Sequence, residues 1–155
     1  MPDQGQLTSA RVIDVLYRES DKLYYELARD CGLSETAYWI MYALEVSGGS
    51  VTQGQIASDF SYSKQTVNSA LKTLEARGLV ALAPSADDRR SKLVSLTAAG
   101  RAFADERIRP AIAAEDRAFT SLAPVERAEL LRLVRAYADA IETEVARLKN
   151  ERGDK

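Results

Sequence analysis

The chain has 155 residues, 46% hydrophobic and 28% charged, with a formal net charge of −2, one cysteine and no histidine. That is one domain, or one domain with appended helices, of ordinary globular composition. Missing histidine and a lone Cys31 exclude the usual zinc sites, most nucleophile–base pairs and any internal disulfide framework.

The expectation is therefore a protein that is not an enzyme and needs no cofactor or metal. The N-terminus has no basic stretch before an apolar block, and no apolar run is long enough to span a bilayer. Together with the single cysteine this predicts a cytoplasmic protein with no membrane partner.

Residues 8–30 read as a helix with Val12, Ile13, Leu16, Leu23, Tyr24 and Leu27 on one stripe, Ser9 as its cap and Cys31-Gly32 as its end. A second helix is predicted from Ser34 to about Val46, followed by a flexible break at Ser47–Ser50. Thr52-Gln53-Gly54-Gln55 has the spacing of a capping box and opens a short helix with Ile56, Ala57 and Phe60 inward. After the tight polar turn Ser61-Tyr62-Ser63, a stronger helix runs from about Lys64 to Arg77 and stops at Gly78. Val67, Leu71 and Leu74 form its apolar stripe.

Two short helices across a three-residue turn make a helix-turn-helix. The polar face of the second carries Lys64, Gln65, Thr66, Asn68, Ser69 and Lys72, with no acid before Glu75. A merely solvated helix tends to carry Glu/Lys pairs. These side chains instead donate and accept as base edges and phosphates require.

Leu79–Leu82 and Leu93–Leu96 are apolar runs of strand type, joined by a polar stretch that holds Arg89, Arg90 and Lys92. This predicts a β-hairpin wing whose tip arginines enter a minor groove. Charge follows the same division. Residues 1–60 hold four basic and nine acidic residues, residues 61–92 six and three, and residues 97–155 eleven of each. A positive excess confined to one short segment is the footprint of localised nucleic-acid binding.

Thr97-Ala98-Ala99-Gly100 begins a helix carrying Phe103, Ile108, Ile112 and Phe119, which Pro110 must kink or break. Pro124 suits the first position of the last helix. There Leu130, Val134, Tyr137, Ile141, Val145 and Leu148 recur at steps of three and four, close to a coiled-coil seam.

In order and spacing, Thr52–Phe60, SKQTVNSALKTLEARGLV at 63–80 and DDRRSKLVSLTAAG at 87–100 resemble the MarR family of regulators, over about residues 8–150. The resemblance implies a mainly α fold with a small β-hairpin wing. Residues 34–100 would form the winged helix-turn-helix, and residues 8–31 and 101–150 dimerisation helices, within one unit spanning 1–155. It implies that Lys64–Lys72 is the recognition helix and that Asp88 orients Arg90 in a D-x-R pair. It also implies that the first and last helices, with Leu16, Leu130, Val134, Tyr137, Ile141 and Val145, meet those of a second copy. The family often has an arginine after the glycine at Gly78, where this chain has Val80–Ala83, and a Ser or Thr cap where it has Ala123.

The expected function is a homodimeric, ligand-responsive repressor of transcription that binds a pseudo-palindrome in double-stranded DNA. The competing reading is a winged helix used for protein contact without DNA. Tyr24, Tyr38, Trp39 and Tyr42 are candidates for a small aromatic ligand's pocket, although such rings equally serve core and interface packing.

Overall fold

In a computed structural model, residues 9–86 and 91–153 are described. The order is α1 (Ala10–Asp30), α2 (Glu35–Val46), β1 (Ser50–Thr52), α3 (Gln53–Asp59), α4 (Lys64–Ala76), β2 (Val80–Pro84), β3 (Lys92–Leu96), α5 (Ala98–Phe103), a π-helical turn (Ala104–Ile108), α6 (Arg109–Thr120) and α7 (Pro124–Gly153). The chain divides into two compact units, Met1–Ala111 and Ile112–Lys155. None of the helices among the described residues is long and apolar enough to cross a membrane.

The first unit is built around α2. Its Ala37, Tyr38, Ile40, Met41 and Leu44 are all buried, on more than one face, as befits a central helix. Ile56, Val67, Leu71, Leu74, Val94 and Ile108 complete the core from α3, α4, β3 and the π turn. Each helix of the winged region starts on a hydroxyl. Ser34 accepts from the Ala37 amide at 3.2 Å, Thr52 from Gln55 at 3.1 Å, Ser63 from Thr66 at 3.1 Å and Thr97 from Gly100 at 2.9 Å.

Several sequence expectations change here. The capping box at Thr52 is only half formed. Gln55 Nε2 donates to Asp59 Oδ1 one turn on, at 2.6 Å, instead of reaching back. Ser50–Thr52, expected within or beside a loose break, is a strand, so the hairpin becomes a three-stranded antiparallel sheet of order β1-β3-β2. Thr52 pairs with Leu93, and the β2–β3 ladder extends to Pro84 opposite Lys92, further than Leu82. Leu79 lies just outside β2, buried, with its amide closing α4 onto Leu74 O at 3.0 Å.

Pro110 is absorbed without a broken helix. A proline has no amide hydrogen and its ring crowds the carbonyl four residues back. The preceding turn widens to π geometry, and Pro110 falls at the second position of α6. Arg109 braces this turn, meeting Glu45 of α2 at 2.7 Å and Asp105 at 2.8 Å. The Glu45 hydrogen bond, then Asp105, raise its pKa above the ordinary guanidinium value. With an exposed arginine the bridge adds little to stability and serves mainly to fix direction.

In the second unit α7 begins without a hydroxyl cap. Glu126 Oε2 accepts from the Ala123 amide at 2.7 Å, so a carboxylate at the third helical position does the work expected of a Ser or Thr. Leu130, Val134, Ile141 and Val145 are 41–45% exposed, and Tyr137 is half-buried. In the first unit Leu16 of α1 is likewise exposed.

Candidate nucleic-acid interface

α3 and α4 pack together, with Ile56 of one and Val67 of the other fully buried. The turn between them reverses at Ser61, whose φ of 54° is left-handed, and closes with Tyr62 N donating to Ala57 O at 3.0 Å. This packing turns the opposite side of α4 to solvent. Lys64, Gln65, Thr66, Asn68, Ser69 and Lys72 are all exposed, as is Thr73. Lys64, Asn68 and Lys72 stand one turn apart on the same face.

Two of these side chains are held from outside their own turn or by the cap. The Thr66 hydroxyl lies 2.8 Å from Ser63 Oγ at the start of α4. Gln53 Nε2, from the first residue of α3, donates to Asn68 Oδ1. Gln53 was read from sequence only as part of a cap. The signal that marks it is an amide side chain at the start of the first motif helix, fifteen residues before a polar residue on the second.

The sheet sits beside this face. Lys92 opens β3 and is exposed, and Ser91 Oγ accepts from the Gly54 amide at 3.3 Å, joining the wing base to α3. Arg89, Arg90 and Asp88, which was expected to orient Arg90, lie outside the described residues. Thr97 fastens the far end of the wing. Its hydroxyl donates to Gly78 O at 2.5 Å, and its amide donates to Leu79 O at 3.1 Å. Arg77 completes the frame, donating to Gly32 O at 2.9 Å with its guanidinium 5.4 Å from the centre of the Phe103 ring. The arrangement is a polar helix face free of acids before Glu75, flanked by a braced two-stranded arm.

Behind it lies an aromatic cluster centred on Trp39. Ring centroids of Tyr24, Tyr42, Tyr38 and Phe60 lie 4.7, 5.3, 5.7 and 5.9 Å away, and Phe60 stacks on Tyr62 at 5.7 Å. Tyr38 is wholly enclosed in the core, whereas Tyr24, Trp39 and Tyr42 are half-buried. Phe60 and Tyr62 were not singled out as members. They bring the cluster to the turn between α3 and α4, which the spacing of the tyrosines on α1 and α2 did not reveal. Burial, then Glu35, push the Tyr62 hydroxyl up, against a hydrogen bond with Thr36. Among the described residues, no group of three or more His, Cys, Asp or Glu stands ready to hold a metal.

Comparison with known proteins agrees with this geometry. The profile of the MarR family matches residues 32–91. The HTH-type transcriptional repressor NicR of Pseudomonas putida is 29% identical over 126 residues, 81% of this chain and 79% of that protein. The structure of NMB1585, a MarR family regulator from Neisseria meningitidis, superposes with a TM-score of 0.72 at 28% identity, covering 94% of this chain and 98% of that one. The fold is also that of Bordetella bronchiseptica BpsR, described in terms of regulation of its DNA binding by 6-hydroxynicotinic acid. Its TM-score is 0.64 at 23% identity, over 90% of this chain and 99% of that one.

Proposed function

The chain belongs to the MarR family of winged-helix transcriptional regulators, which are not enzymes, and from that membership we propose that it is a cytoplasmic, ligand-responsive repressor working as a homodimer. The observation that carries the reading is the exposed face Lys64–Lys72. It offers amides, hydroxyls and two cations at helical spacing and no carboxylate. In this reading α4 enters the major groove, Lys64 and Lys72 meet phosphates, and Lys92 with Arg89 and Arg90 follows the minor groove. Two copies related by a two-fold axis place two α4 helices on half-sites roughly 10 base pairs apart. The apolar residues left exposed on α1 and on α7 support self-association.

The ligand in this reading is a small aromatic acid held beside Tyr24, Trp39 and Tyr42. Support comes from the run of rings out to Phe60 and Tyr62 at the helix-turn-helix, because a ligand shifts DNA binding only by favouring one placement of that motif. The 6-hydroxynicotinic acid that regulates DNA binding by BpsR points the same way.

The test is selection of bound fragments from genomic DNA, followed by footprinting and titration with aromatic carboxylates while Trp39 fluorescence and DNA release are recorded together. Paired protected half-sites, and release that fails in Tyr42→Ala, are expected. Enrichment of no fragment above non-specific DNA overturns the proposal. Release unaltered in Tyr24→Ala and Tyr42→Ala moves the pocket elsewhere.

A further inference from the structure

Asn68 stands on the exposed face of α4 between Lys64 and Lys72, and its side-chain oxygen accepts from Gln53 Nε2 of α3. The backbone that carries Gln53 is itself fixed from behind. The residue before it, Thr52, pairs with Leu93 in the sheet and caps the Gln55 amide, and the buried Ile56 ties the same helix to the core. A carboxamide has one acceptor oxygen and one donor nitrogen. An isolated exposed asparagine turns about its last torsion and offers either one. Here one lone pair of the oxygen is already engaged and the oxygen is drawn towards α3, which turns the Nδ2 hydrogens to an incoming base.

We propose that Gln53 is a positioning residue that holds the Asn68 amide nitrogen outward, so that α4 selects a base edge bearing acceptors over one bearing a donor. Guanine O6 and N7 and thymine O4 fit this choice, and the cytosine amino group does not. The two-point pairing of an asparagine amide with adenine is disfavoured, because Gln53 takes one of the oxygen's two lone pairs and sets the plane of the amide. The inference rests on α4 being the base-reading helix.

The experiment randomises each operator position in turn, with the full-length protein and a fragment recovered from genomic selection, and compares the parent with Asn68→Ala, Gln53→Ala and Gln53→Glu. The parent is expected to prefer guanine or thymine at one position of each half-site, and Asn68→Ala to lower that preference by about tenfold. Gln53→Ala should flatten the same position severalfold, leaving the others and the salt dependence intact. Gln53→Glu only accepts, so it draws the Asn68 nitrogen inward, turns the oxygen out and moves preference towards adenine or cytosine. The alanine variant adds no charge and decides the matter if the glutamate variant binds too weakly to read. If Asn68→Ala flattens a position that both Gln53 variants preserve, positioning by Gln53 is overturned while α4 remains the reading helix. If Asn68→Ala alters no position, the role of Asn68 on α4 fails and the proposal falls with it.

Discussion

The carbonyl oxygen of Leu79 occupies the space where a side chain on Gly100 would begin: a Cβ there would stand 1.9 Å from it. Thr97 donates its amide to the same oxygen. The Leu-Thr-x-x-Gly run is therefore a joint that seats α5 on the entrance to β2, and its glycine is set by a backbone neighbour. Gly100→Ala is expected to cost about 3 kcal/mol, since the obstacle is main chain and not a movable side chain. Thermal unfolding should fall by roughly 6–12 °C. Gly54→Ala is the control, because its Cβ would meet only Ser91 Oγ, at 3.4 Å. Equal midpoints for the two variants would contradict the joint.

Lys72→Ala should weaken DNA binding and lower the slope of log affinity against log salt by about 0.9, one phosphate contact's worth. Gln65→Ala is expected to weaken binding with the slope intact. Affinities measured from 50 to 300 mM salt, on the order of the range where such slopes are read, separate the two. An unchanged slope for Lys72→Ala removes that lysine from the phosphate contacts.

Ser61 adopts a left-handed conformation in a helix closure where α1 and α4 use Gly32 and Gly78. The strain of about 1 kcal/mol relieved by Ser61→Gly is partly offset by the greater freedom of glycine in the unfolded chain. A net gain of about 0.5 kcal/mol, or roughly 1–2 °C, is expected. A fall in the unfolding midpoint would mean that the serine side chain holds the turn in a way its backbone angle does not convey.

Ile141 is 45% exposed on α7 and lies within the proposed seam. Ile141→Asp would bury an unpaired charge between two copies, a penalty of several kcal/mol. Sedimentation should give monomer or aggregate and lost operator binding. Val125, more exposed still and outside the seam, should accept aspartate with the dimer intact. A dimer that survives Ile141→Asp excludes the seam.

Burial pushes the Cys31 thiol up from its ordinary value of 9.0, with Arg107 opposing and Asp30 adding to it. The native state then keeps the proton to higher pH than the unfolded chain. Its stabilising effect is complete below the unfolded thiol's range and is lost as pH rises through the folded value. At neutral pH the native thiolate is scarcer, so iodoacetamide should label Cys31 more slowly in the native protein than in urea. Any effect of peroxide on DNA binding should be the same in the parent and in Cys31→Ser. Rapid native labelling at pH 7 would contradict this.

Local chemistry made much of the fold legible. Ser34 and Ser63 cap the helices that begin after them, because a hydroxyl and the amide three residues on lie within one turn. The face of α4 was equally readable from the stripe Val67, Leu71, Leu74. What escaped depends on distant partners. Ser50–Thr52 is too short and polar to announce a strand and acquires that state from Leu93–Ser95. The π turn before Pro110 trades one helical geometry for another, which periodicity registers only as a break. Gln53 carried a local explanation, a cap, that concealed its contact with Asn68, and Phe60 and Tyr62 joined the Trp39 cluster only once the turn folded back.

The strand order β1-β3-β2 has a consequence for how copies of this protein do not meet. Among the described residues the sheet has two free edges, one only three residues long and the other five residues long and ending in Pro84, which has no amide to donate. Neither offers a row long enough to template a strand from another chain. Even when crowded on adjacent stretches of DNA, copies should resist edge-to-edge polymerisation, and helical surfaces are left as the route for self-recognition.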